Sequence, residues 1–450
     1  MLSEMHSAIE EYATDNEDSS VEDDLEFTSA LHDSVEDAEH YQLGGLHPIA
    51  IGDCFSQGRY KILHKLGHGG SSTVWLARDR EGADPLVALK AMRADASSEH
   101  TEEISSLYVP KMLRAALPPS ASIMTVEDHF FVHGPNGSHL FLVSPLAGPT
   151  IASMSRRPGR ASGIRRLRAS LAWKVAKQTA MALYRMHRAG VVHGDLTTSN
   201  ILFSLSPHVI QRWSDAELYE SLGVPKTLES SHYDGSSGAS AARVAPIDCS
   251  RLTDTASLQE SVVLSDFGQS YAVASPPKDY KPGTIINYFS PEARFEGRAG
   301  LEADVWALGC AIFEIRAGSP LFESFVHSGT QILIDTVSML GCLPDPWWDA
   351  FKDHANWFEE DGEPKREEDQ AEGAFEACKT SVREQLRSIG LEDEAPRNPD
   401  GPMFEATGVR MCEEEVDLLG DLLEKMLRYR PEERIKMDEV ITHPWFALDG

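Results

Sequence analysis

Two segments of this 450-residue chain are the most informative: Val192-His193-Gly194-Asp195-Leu196-Thr197-Thr198-Ser199-Asn200-Ile201 and, further on, Ser265-Asp266-Phe267-Gly268. An aspartate with an asparagine five positions later, followed by a second aspartate ahead of Phe-Gly, is typical of sites that transfer phosphoryl groups. Asp195 would accept the proton of a substrate hydroxyl, and Asn200 and Asp266 would hold Mg²⁺ on the phosphates of ATP. The two segments therefore predict phosphoryl transfer that depends on ATP and Mg²⁺.

The composition indicates one large folded protein and excludes several other classes. With 41% hydrophobic residues the chain can build a two-lobed domain, and no apolar run approaches the ~18 residues of a membrane span. The six cysteines lie far apart with no C-x-x-C pair, which fits free thiols in a reducing compartment. We therefore expect a soluble monomer of the cytoplasm and/or nucleus with no membrane partner.

The charge of the chain is strongly and unevenly acidic. A formal net charge of −30 argues against direct nucleic-acid binding and favours basic partners. Residues 1–45 hold 14 acidic side chains and no Lys or Arg. We expect residues 1–40 to be an acidic disordered tail. Because no motif lies there, its removal is expected to leave the fold intact.

Residues 41–147 alternate β-rich runs with turns, which is the pattern of an antiparallel meander. One segment, Glu99–Leu117, instead repeats its apolar residues with the period of a helix. We therefore predict a small five-stranded antiparallel N-lobe with one helix. The predicted strands are Tyr60–Leu66, Thr73–Arg78, Leu86–Met92, Met124–Val132 and Leu140–Val143.

Residues 148–450 contain longer helical patterns and predict a larger, mainly α-helical C-lobe, so that the fold class is α+β and bilobal. Two polar segments, 204–260 and 351–395, are expected to be insertions into this lobe. The predicted helices include Leu171–Arg188, Asp304–Ile315, Gln331–Leu340 and Glu414–Arg428.

A glycine-rich segment lies between the first two predicted strands, where backbone N–H groups could approach phosphate oxygens without an intervening Cβ. Its spacing fits G-x-G-x-x-[small]-x-V, with Ser72 at the third glycine position. A plain turn explains such a segment equally well, but an Ala-x-Lys on the third strand favours a nucleotide site. The predicted nucleotide contacts are Leu66, Gly67, Gly69, Ser72, Val74, Ala88 and Lys90.

Lys90 needs a carboxylate to orient its ammonium group, and two candidates follow on the predicted helix. The apolar face at Ile104 and Leu107 favours Glu103 over Glu102, and Glu102 stays open as the alternative. Both acids could also be ordinary solvent-facing helix charges.

The segment Ser144-Pro145-Leu146 lies where the chain would pass the adenine ring between the two predicted lobes. Pro145 has no N–H to donate. We therefore predict that the backbone of Leu146 or Ala147 contacts the adenine.

Later segments occur in the order expected for the same fold. Asp304, in Asp-Val-Trp-Ala-Leu-Gly, would brace the segment 192–201, here called the catalytic loop. His193 would be a packed, supporting residue of that loop. Arg434 near the C-terminus would form a buried ion pair with Glu292 of Ser290-Pro291-Glu292. Each motif alone is ordinary, but their order along the chain predicts a protein-kinase fold.

The lead-in to the predicted sheet resembles that of one particular family. Tyr41-Gln42-Leu43-Gly44-Gly45-Leu46-His47-Pro48 is similar to the corresponding segment of the SR-protein kinases, and His193-Gly194-Asp195-Leu196 resembles their fungal branch. The resemblance runs from about Tyr41 to the C-terminus. It implies a serine/threonine protein kinase that uses ATP and Mg²⁺ on a basic, Arg-Ser-rich protein substrate.

Three residues bear on activity. Gly194 replaces the arginine through which many kinases sense activation-loop phosphate, so we expect the span Asp266–Glu292 to fold without phosphorylation. Thr197 replaces a lysine that neutralises the transferring phosphoryl group, a loss that can cost on the order of 10²-fold in rate. Thr284 is predicted to hold Asp195 by a hydrogen bond.

Three functions remain open at this point. The first is an active protein kinase, which the four polar residues Lys90, Asp195, Asn200 and Asp266 favour. The second is a nucleotide-binding pseudokinase that acts as a scaffold, which Thr197 favours. The third is a small-molecule phosphotransferase, since such enzymes also use H-G-D-L-x-x-x-N, but Ser290-Pro291-Glu292 and the lead-in argue against it.

Overall fold

The computed structural model forms two compact units, each built from separate parts of the chain. The first contains residues 1–99, 127–146 and 213–248, and the second contains 100–126, 147–212 and 249–450. The structure describes residues 35–82, 85–118, 122–155, 165–206, 213–228, 243–248, 257–278, 280–324, 328–373, 375–391, 393 and 401–448.

The secondary structure changes along the chain from strands to helices. The strands are β1 (Cys54–Phe55), β2 (Tyr60–Gly69), β3 (Ser72–Asp79), β4 (Leu86–Met92), β5 (Asp128–Gly134), β6 (Gly137–Pro145), β7 (Val191–Val192), β8 (Ile201–Leu205), β9 (Thr227–Leu228), β10 (Arg243–Val244), β11 (Leu258–Leu264) and β12 (Tyr271–Ala272). The α-helices are α1 (Ser105–Ala116), α2 (Ile151–Ser155), α3 (Ala169–Arg188), α4 (Asp215–Leu222), α5 (Pro291–Glu296), α6 (Leu301–Ala317), α7 (Gly329–Leu340), α8 (Trp347–Ala350), α9 (Val382–Ser388), α10 (Glu413–Met426) and α11 (Met437–Val440).

The first unit is built on an antiparallel sheet with the strand order β1-β2-β3-β4-β6-β5. The predicted number of five strands is wrong, because the two-residue strand β1 pairs with β2 and adds a sixth. The predicted run Met124–Val132 also begins too early, since β5 starts at Asp128. One face of the sheet is covered by a core that includes Tyr60, Trp75, Leu89 and Phe141.

Residues just before the lead-in are packed against this sheet. The carboxylate of Glu36 pairs with the Lys65 ammonium group on β2, and the Tyr41 hydroxyl donates to the same carboxylate. Val35 is buried as well. The expectation of a disordered tail over residues 1–40 therefore fails for 35–40, and residues 1–34 lie outside the described residues.

Part of the expected insertion 204–260 also belongs to the first unit. The carboxylate of Asp215, at the start of α4, accepts hydrogen bonds from Lys61 Nζ at 2.9 Å and from Arg78 Nε at 2.7 Å. The Tyr219 hydroxyl on the same helix donates to the carbonyl oxygen of Leu63 at 3.2 Å. This segment is thus attached to β2 and β3 by charged and polar contacts.

The second unit is mainly helical and is organised around α3, α6 and α10. Helix α6 is buried along almost its whole length, because apolar residues occur on every side of it. Its buried charged residues Asp304, Glu314 and Arg316 have hydrogen-bond partners. The segment 351–395, expected to be a polar insertion, contains a second small core instead. Phe351, Trp357 and Phe358 are buried there with Trp347 of α8.

Helix α1 begins later than predicted and groups with the second unit. The preceding residues Thr101–Glu103 form a short 3₁₀ helix, and Ile104 separates the two elements. Within the described ranges, no helix is long and apolar enough to cross a membrane.

Candidate active site

The glycine-rich segment forms the β2–β3 hairpin of the first unit. Gly67 pairs with Val74 and Gly69 with Ser72, and Leu66 lies at a bulge between two registers. A Cβ built on Gly67 or Gly69 would meet no atom within 4 Å. The backbone here is therefore open to phosphate oxygens, which is the room that a nucleotide needs. Ser72, in contrast, is buried.

The predicted nucleotide contacts on the strands share one face of the sheet. Val74 pairs with Lys90 across β3 and β4, and Lys90 pairs with Leu142 on β6. Ala88 lies two residues before Lys90 and therefore on the same face. Their neighbours Val87 and Leu89 point into the core instead. Leu146 follows β6 directly and is half-buried.

The catalytic loop of the second unit brings Asp195 and Asn200 together. The Asn200 side-chain nitrogen donates to the Asp195 carbonyl oxygen at 2.8 Å and to its carboxylate oxygen at 3.0 Å. Both side chains are half-buried, so the carboxylate is oriented yet open to a substrate. The asparagine donates through nitrogen, which makes its amide oxygen the atom that can bind a cation.

Asp266 lies close to Asn200 because strands β8 and β11 pair in antiparallel orientation. Leu264 pairs with Ile201, and the Ser265 N–H donates to the Asn200 carbonyl oxygen at 2.9 Å. Asp266 has a φ of 59°, a conformation that is rare outside glycine and common at functional turns. Asn200 and Asp266 would therefore bind the same Mg²⁺ ion.

The donor set of Asn200 and Asp266 fits Mg²⁺. Both supply oxygen, which this hard cation prefers, and Mg²⁺ usually takes its remaining ligands from phosphates and water. Among the described residues, no group of three or more His, Cys, Asp or Glu side chains could hold a metal ion.

His193 links the catalytic loop to the segment that carries Asp266. Its Nδ1 accepts from the Asp195 N–H at 3.2 Å, so its Nε2 carries the proton and donates to the Ser265 carbonyl oxygen at 3.2 Å. Burial lowers the pKa of His193 and favours this neutral form. The ring also packs against Phe267 at 5.5 Å between centroids. His193 is thus a packed, supporting residue, as predicted.

Asp304 braces the catalytic loop from helix α6, as predicted. Its carboxylate accepts from the backbone N–H of His193 at 2.7 Å and of Gly194 at 2.9 Å. The predicted buried ion pair is confirmed too, with two bonds of 2.6 Å between Arg434 and Glu292.

Gly194 occupies a position that requires glycine. Its φ is +78°, and a Cβ there would lie 2.5 Å from the Gln269 carbonyl oxygen and 2.6 Å from the Tyr280 hydroxyl. The ring of Tyr280 in turn packs edge-on against Tyr271 at 4.9 Å. The span Asp266–Glu292, here called the activation segment, therefore packs against Gly194. An arginine side chain would not fit at this position.

One predicted hydrogen bond of the site is absent, and Glu103 does not lie on the α-helix where it was predicted. The hydroxyl of Thr284 is buried without a hydrogen-bond partner, so the predicted bond to Asp195 is absent. Glu103 is exposed on the 3₁₀ helix and not on α1, because the helix starts only at Ser105. Lys90 and Glu103 belong to different compact units, and their pairing stays a prediction.

A buried polar cluster beneath the catalytic loop was not predicted. The Thr198 hydroxyl donates to the Glu314 carboxylate at 2.7 Å, and the Tyr288 hydroxyl donates to the same carboxylate. Burial and the neighbouring Glu314 charge raise the pKa of Tyr288. A glutamate inside the apolar sequence of α6 was the available signal, since buried charges need partners.

Comparison with known proteins assigns the chain to a family. Residues 60–215 and 252–446 match the protein kinase domain, which is well over half of the sequence. The chain therefore belongs to the protein kinase family. The interruption of the match lies inside the segment 204–260 that the sequence indicates as an insertion.

Several relatives are named as serine/threonine kinases. Protein kinase dsk1 of Schizosaccharomyces pombe is 35% identical over 182 residues, which is 39% of this chain and 32% of that protein. Serine/threonine-protein kinase SRPK of Physarum polycephalum is 24% identical over 436 residues, 93% of this chain and 92% of that protein. Serine/threonine-protein kinase spk-1 of Caenorhabditis elegans is 34% identical over 182 residues, 39% of this chain and 17% of that protein. These relatives confirm the resemblance to the SR-protein kinases, a class of serine/threonine protein kinases.

Proposed function

We propose that this chain is an active enzyme that transfers the γ-phosphoryl group of ATP to a serine or threonine hydroxyl of a protein, with Mg²⁺ as cofactor. One observation carries the proposal: the Asn200 amide holds the Asp195 carboxylate at 3.0 Å. A hydrogen bond from a neutral amide orients the carboxylate and leaves its charge in place. Asp195 can therefore act as a general base.

The other residues of the site have distinct roles in this reaction. Asp195 takes up the proton of the attacking hydroxyl, while Asn200 keeps the carboxylate in position. Gly67 and Gly69 offer backbone N–H groups to the phosphates, and Lys90 adds a positive charge. Mg²⁺, when bound by Asn200 and Asp266, neutralises phosphate charge.

The substrate that we propose is a basic, Arg-Ser-rich protein. The net charge of −30 favours encounters with such a chain by long-range attraction. The name of the Physarum relative, SRPK, and the resemblance of the lead-in support the same class. We further propose that the enzyme acts as a monomer in the cytoplasm and/or nucleus, without direct nucleic-acid or membrane partners.

We also propose that activity needs no phosphate on the activation segment. Many kinases order this segment by a phosphate that binds an arginine in the position of Gly194. Here the Tyr280 hydroxyl approaches Gly194, and the Ser270 hydroxyl donates to the His193 carbonyl oxygen at 2.7 Å. These contacts hold the segment on the catalytic loop by packing and neutral hydrogen bonds.

A nucleotide-binding scaffold is the second candidate, and Thr197 is the observation that favours it. The residue is 3% exposed and offers no positive charge to a transferring phosphoryl group. The chain would then bind ATP and Mg²⁺ through the same residues but turn over slowly or not at all.

Incubation of the full chain with labelled ATP, Mg²⁺ and an Arg-Ser peptide tests the proposal, with Asp195→Ala as control. We expect incorporation by the wild type and a loss of at least about 10³-fold in the variant. Equal incorporation by both proteins would refute the catalytic role of Asp195. A thermal shift on ATP addition without any incorporation would favour the scaffold.

A further inference from the structure

A small cavity lies beneath the catalytic loop of the second unit. It has about 20 Å³ of space for solvent, and four of its wall residues carry the argument: Gly194, Thr284, Ser290 and Asp304. The rest of the wall is mostly alanine, leucine and proline. A space of this size holds one water molecule, provided that polar partners are available.

Two hydroxyl groups at this cavity have no partner within the protein. Ser290 is only 2% exposed, and neither its Oγ nor the buried Thr284 Oγ1 makes a hydrogen bond to another residue. Buried hydroxyls are nearly always bonded, because each unbonded group costs the full desolvation penalty. Both residues line the same small cavity, so one ligand bound there could serve both hydroxyls.

The position of Ser290 makes its orientation informative. It is the N-cap residue of helix α5, where a serine side chain normally accepts from the first free backbone N–H groups. In this chain it makes no capping bond. The protein-kinase motif Ala-Pro-Glu has alanine where this chain has Ser290 of Ser290-Pro291-Glu292. The hydroxyl is thus an addition that the helix does not use.

Asp304 supplies the third polar group. The carboxylate oxygen that accepts from the Gly194 N–H at 2.9 Å is the less occupied one, because the other accepts from the His193 N–H at 2.7 Å and lies 3.0 Å from His187 Nε2. Each carboxylate oxygen has more than one acceptor position. A water molecule could donate to Asp304 and one hydroxyl while it accepts from the other.

We propose that the cavity binds one ordered water molecule, which bridges Thr284, Ser290 and Asp304. The water would join the activation segment to the aspartate that holds the catalytic loop. Thr284 and Ser290 are then positioning residues that act on the loop through Asp304. This role differs from the direct bond to Asp195 expected for Thr284, and it does not depend on turnover.

A crystal structure of the full chain tests the site directly. We expect solvent density within about 2.7–3.2 Å of Thr284 Oγ1, Ser290 Oγ and a carboxylate oxygen of Asp304. Hydroxyl rotamers that bond to protein groups beside an empty cavity would overturn the proposal. A density with shorter, cation-like distances would overturn it as well.

Hydrogen exchange of residues 280–292 tests the role of the water in solution. Thr284→Val keeps the shape of the side chain and removes its hydroxyl, whereas Thr284→Ser keeps the hydroxyl. We expect about five- to tenfold faster exchange in Thr284→Val and in Ser290→Ala, and wild-type exchange in Thr284→Ser. Equal exchange in the valine and serine variants would contradict the bridge.

Ser338→Ala is the matched control for loss of a buried hydroxyl. Ser338 lies on α7, is buried, and has an Oγ without a partner, but it does not line this cavity. Its replacement should leave exchange of residues 280–292 unchanged. If Ser290→Ala and Ser338→Ala accelerate that exchange equally, the effect is a global loss of stability and the proposal is wrong.

Discussion

The ammonium group of Lys65 pairs with the carboxylate of Glu36, and the two side chains are 0% and 1% exposed. The Arg243 guanidinium donates to the Glu36 carbonyl oxygen at 3.1 Å, so a residue of the insertion meets the same segment. Burial alone would raise the pKa of Glu36, but hydrogen bonds from Lys65 and Tyr41 outweigh it, and the pKa is lowered. Burial also lowers the pKa of Lys65, and the hydrogen bond to Glu36 opposes that shift. The contact ties residues 35–40 to the sheet.

Glu36→Ala is expected to lower the free energy of unfolding by about 3–5 kcal/mol, because it leaves the Lys65 charge buried without a partner. Glu39→Ala removes an exposed acid of the same segment and should change stability by less than about 0.5 kcal/mol. Urea denaturation measures both.

A pair of truncations separates this segment from the rest of the tail. The chain that lacks residues 1–40 should have a free energy of unfolding about 3–5 kcal/mol lower than the chain that lacks residues 1–34. Equal stability of the two truncated chains would mean that the Glu36 pair contributes nothing to the fold.

Gly194→Ala is expected to reduce kcat by more than tenfold, because the new Cβ would lie 2.5 Å from the Gln269 carbonyl oxygen and displace the activation segment. Gly190→Ala is a matched control, since Gly190 has a similar φ of +71° but open space around its Cβ position. In each variant the left-handed backbone conformation lowers the free energy of unfolding by about 1–2 kcal/mol. Steady-state kinetics should separate them, and similar kcat values would rule out the contact as the cause.

Thr197→Lys is expected to raise kcat, by up to about 10²-fold, because it adds a positive charge near the transferring phosphoryl group. Thr197→Met controls for the added length, since it lacks the charge. The methionine control is needed because Thr197 is buried, so any longer side chain at this position must displace its neighbours to reach solvent. If the lysine and methionine variants turn over at the same rate, the missing charge does not limit catalysis.

His47 is expected to make stability depend on pH. Burial first, and then the nearby His139, lower its pKa to about 4 from an ordinary value of 6.5. The unfolded chain therefore binds a proton that the folded chain resists, and stability falls as the pH decreases from about 6.5 to 4. The loss reaches about 3 kcal/mol.

The variant His47→Phe should weaken this dependence between pH 7 and pH 5 in urea denaturation. The remainder should persist, because burial also lowers the pKa values of His64, His139 and His193. His133→Phe, at an exposed histidine of the same unit, is the control and should retain the wild-type slope. Identical slopes in the two variants would exclude His47 as the source of the pH dependence.

The sequence alone predicts those elements that a periodic pattern or a motif marks. The helix Leu171–Arg188 was predicted within two residues of its observed start, because its apolar period is regular over five turns. Asp195, Asn200 and Asp266 were expected together, and the pairing of β8 with β11 brings Asn200 next to Ser265. In these cases a periodic pattern or a motif in the sequence is enough to predict which residues come together.

The remaining features depend on contacts between distant residues. No local pattern distinguishes Glu36 from the other acids around it, and only Lys65 on β2 makes it a buried partner. Strand β1 has two residues, too few for any period to be visible. Thr284 was expected to bond to Asp195, but its hydroxyl has no hydrogen-bond partner among the described residues, and the direction of one hydroxyl depends on packing that the sequence does not show.

The first compact unit is assembled from three separate parts of the chain, residues 1–99, 127–146 and 213–248. No single continuous fragment that excludes the second unit can therefore supply all its strands and the contacts of Asp215 and Arg243. A ribosome must have made residue 248 before this unit can be completed. The six strands of its sheet are complete once Pro145 has been made, so during translation the sheet can pair before Asp215 and Arg243 exist to contact it.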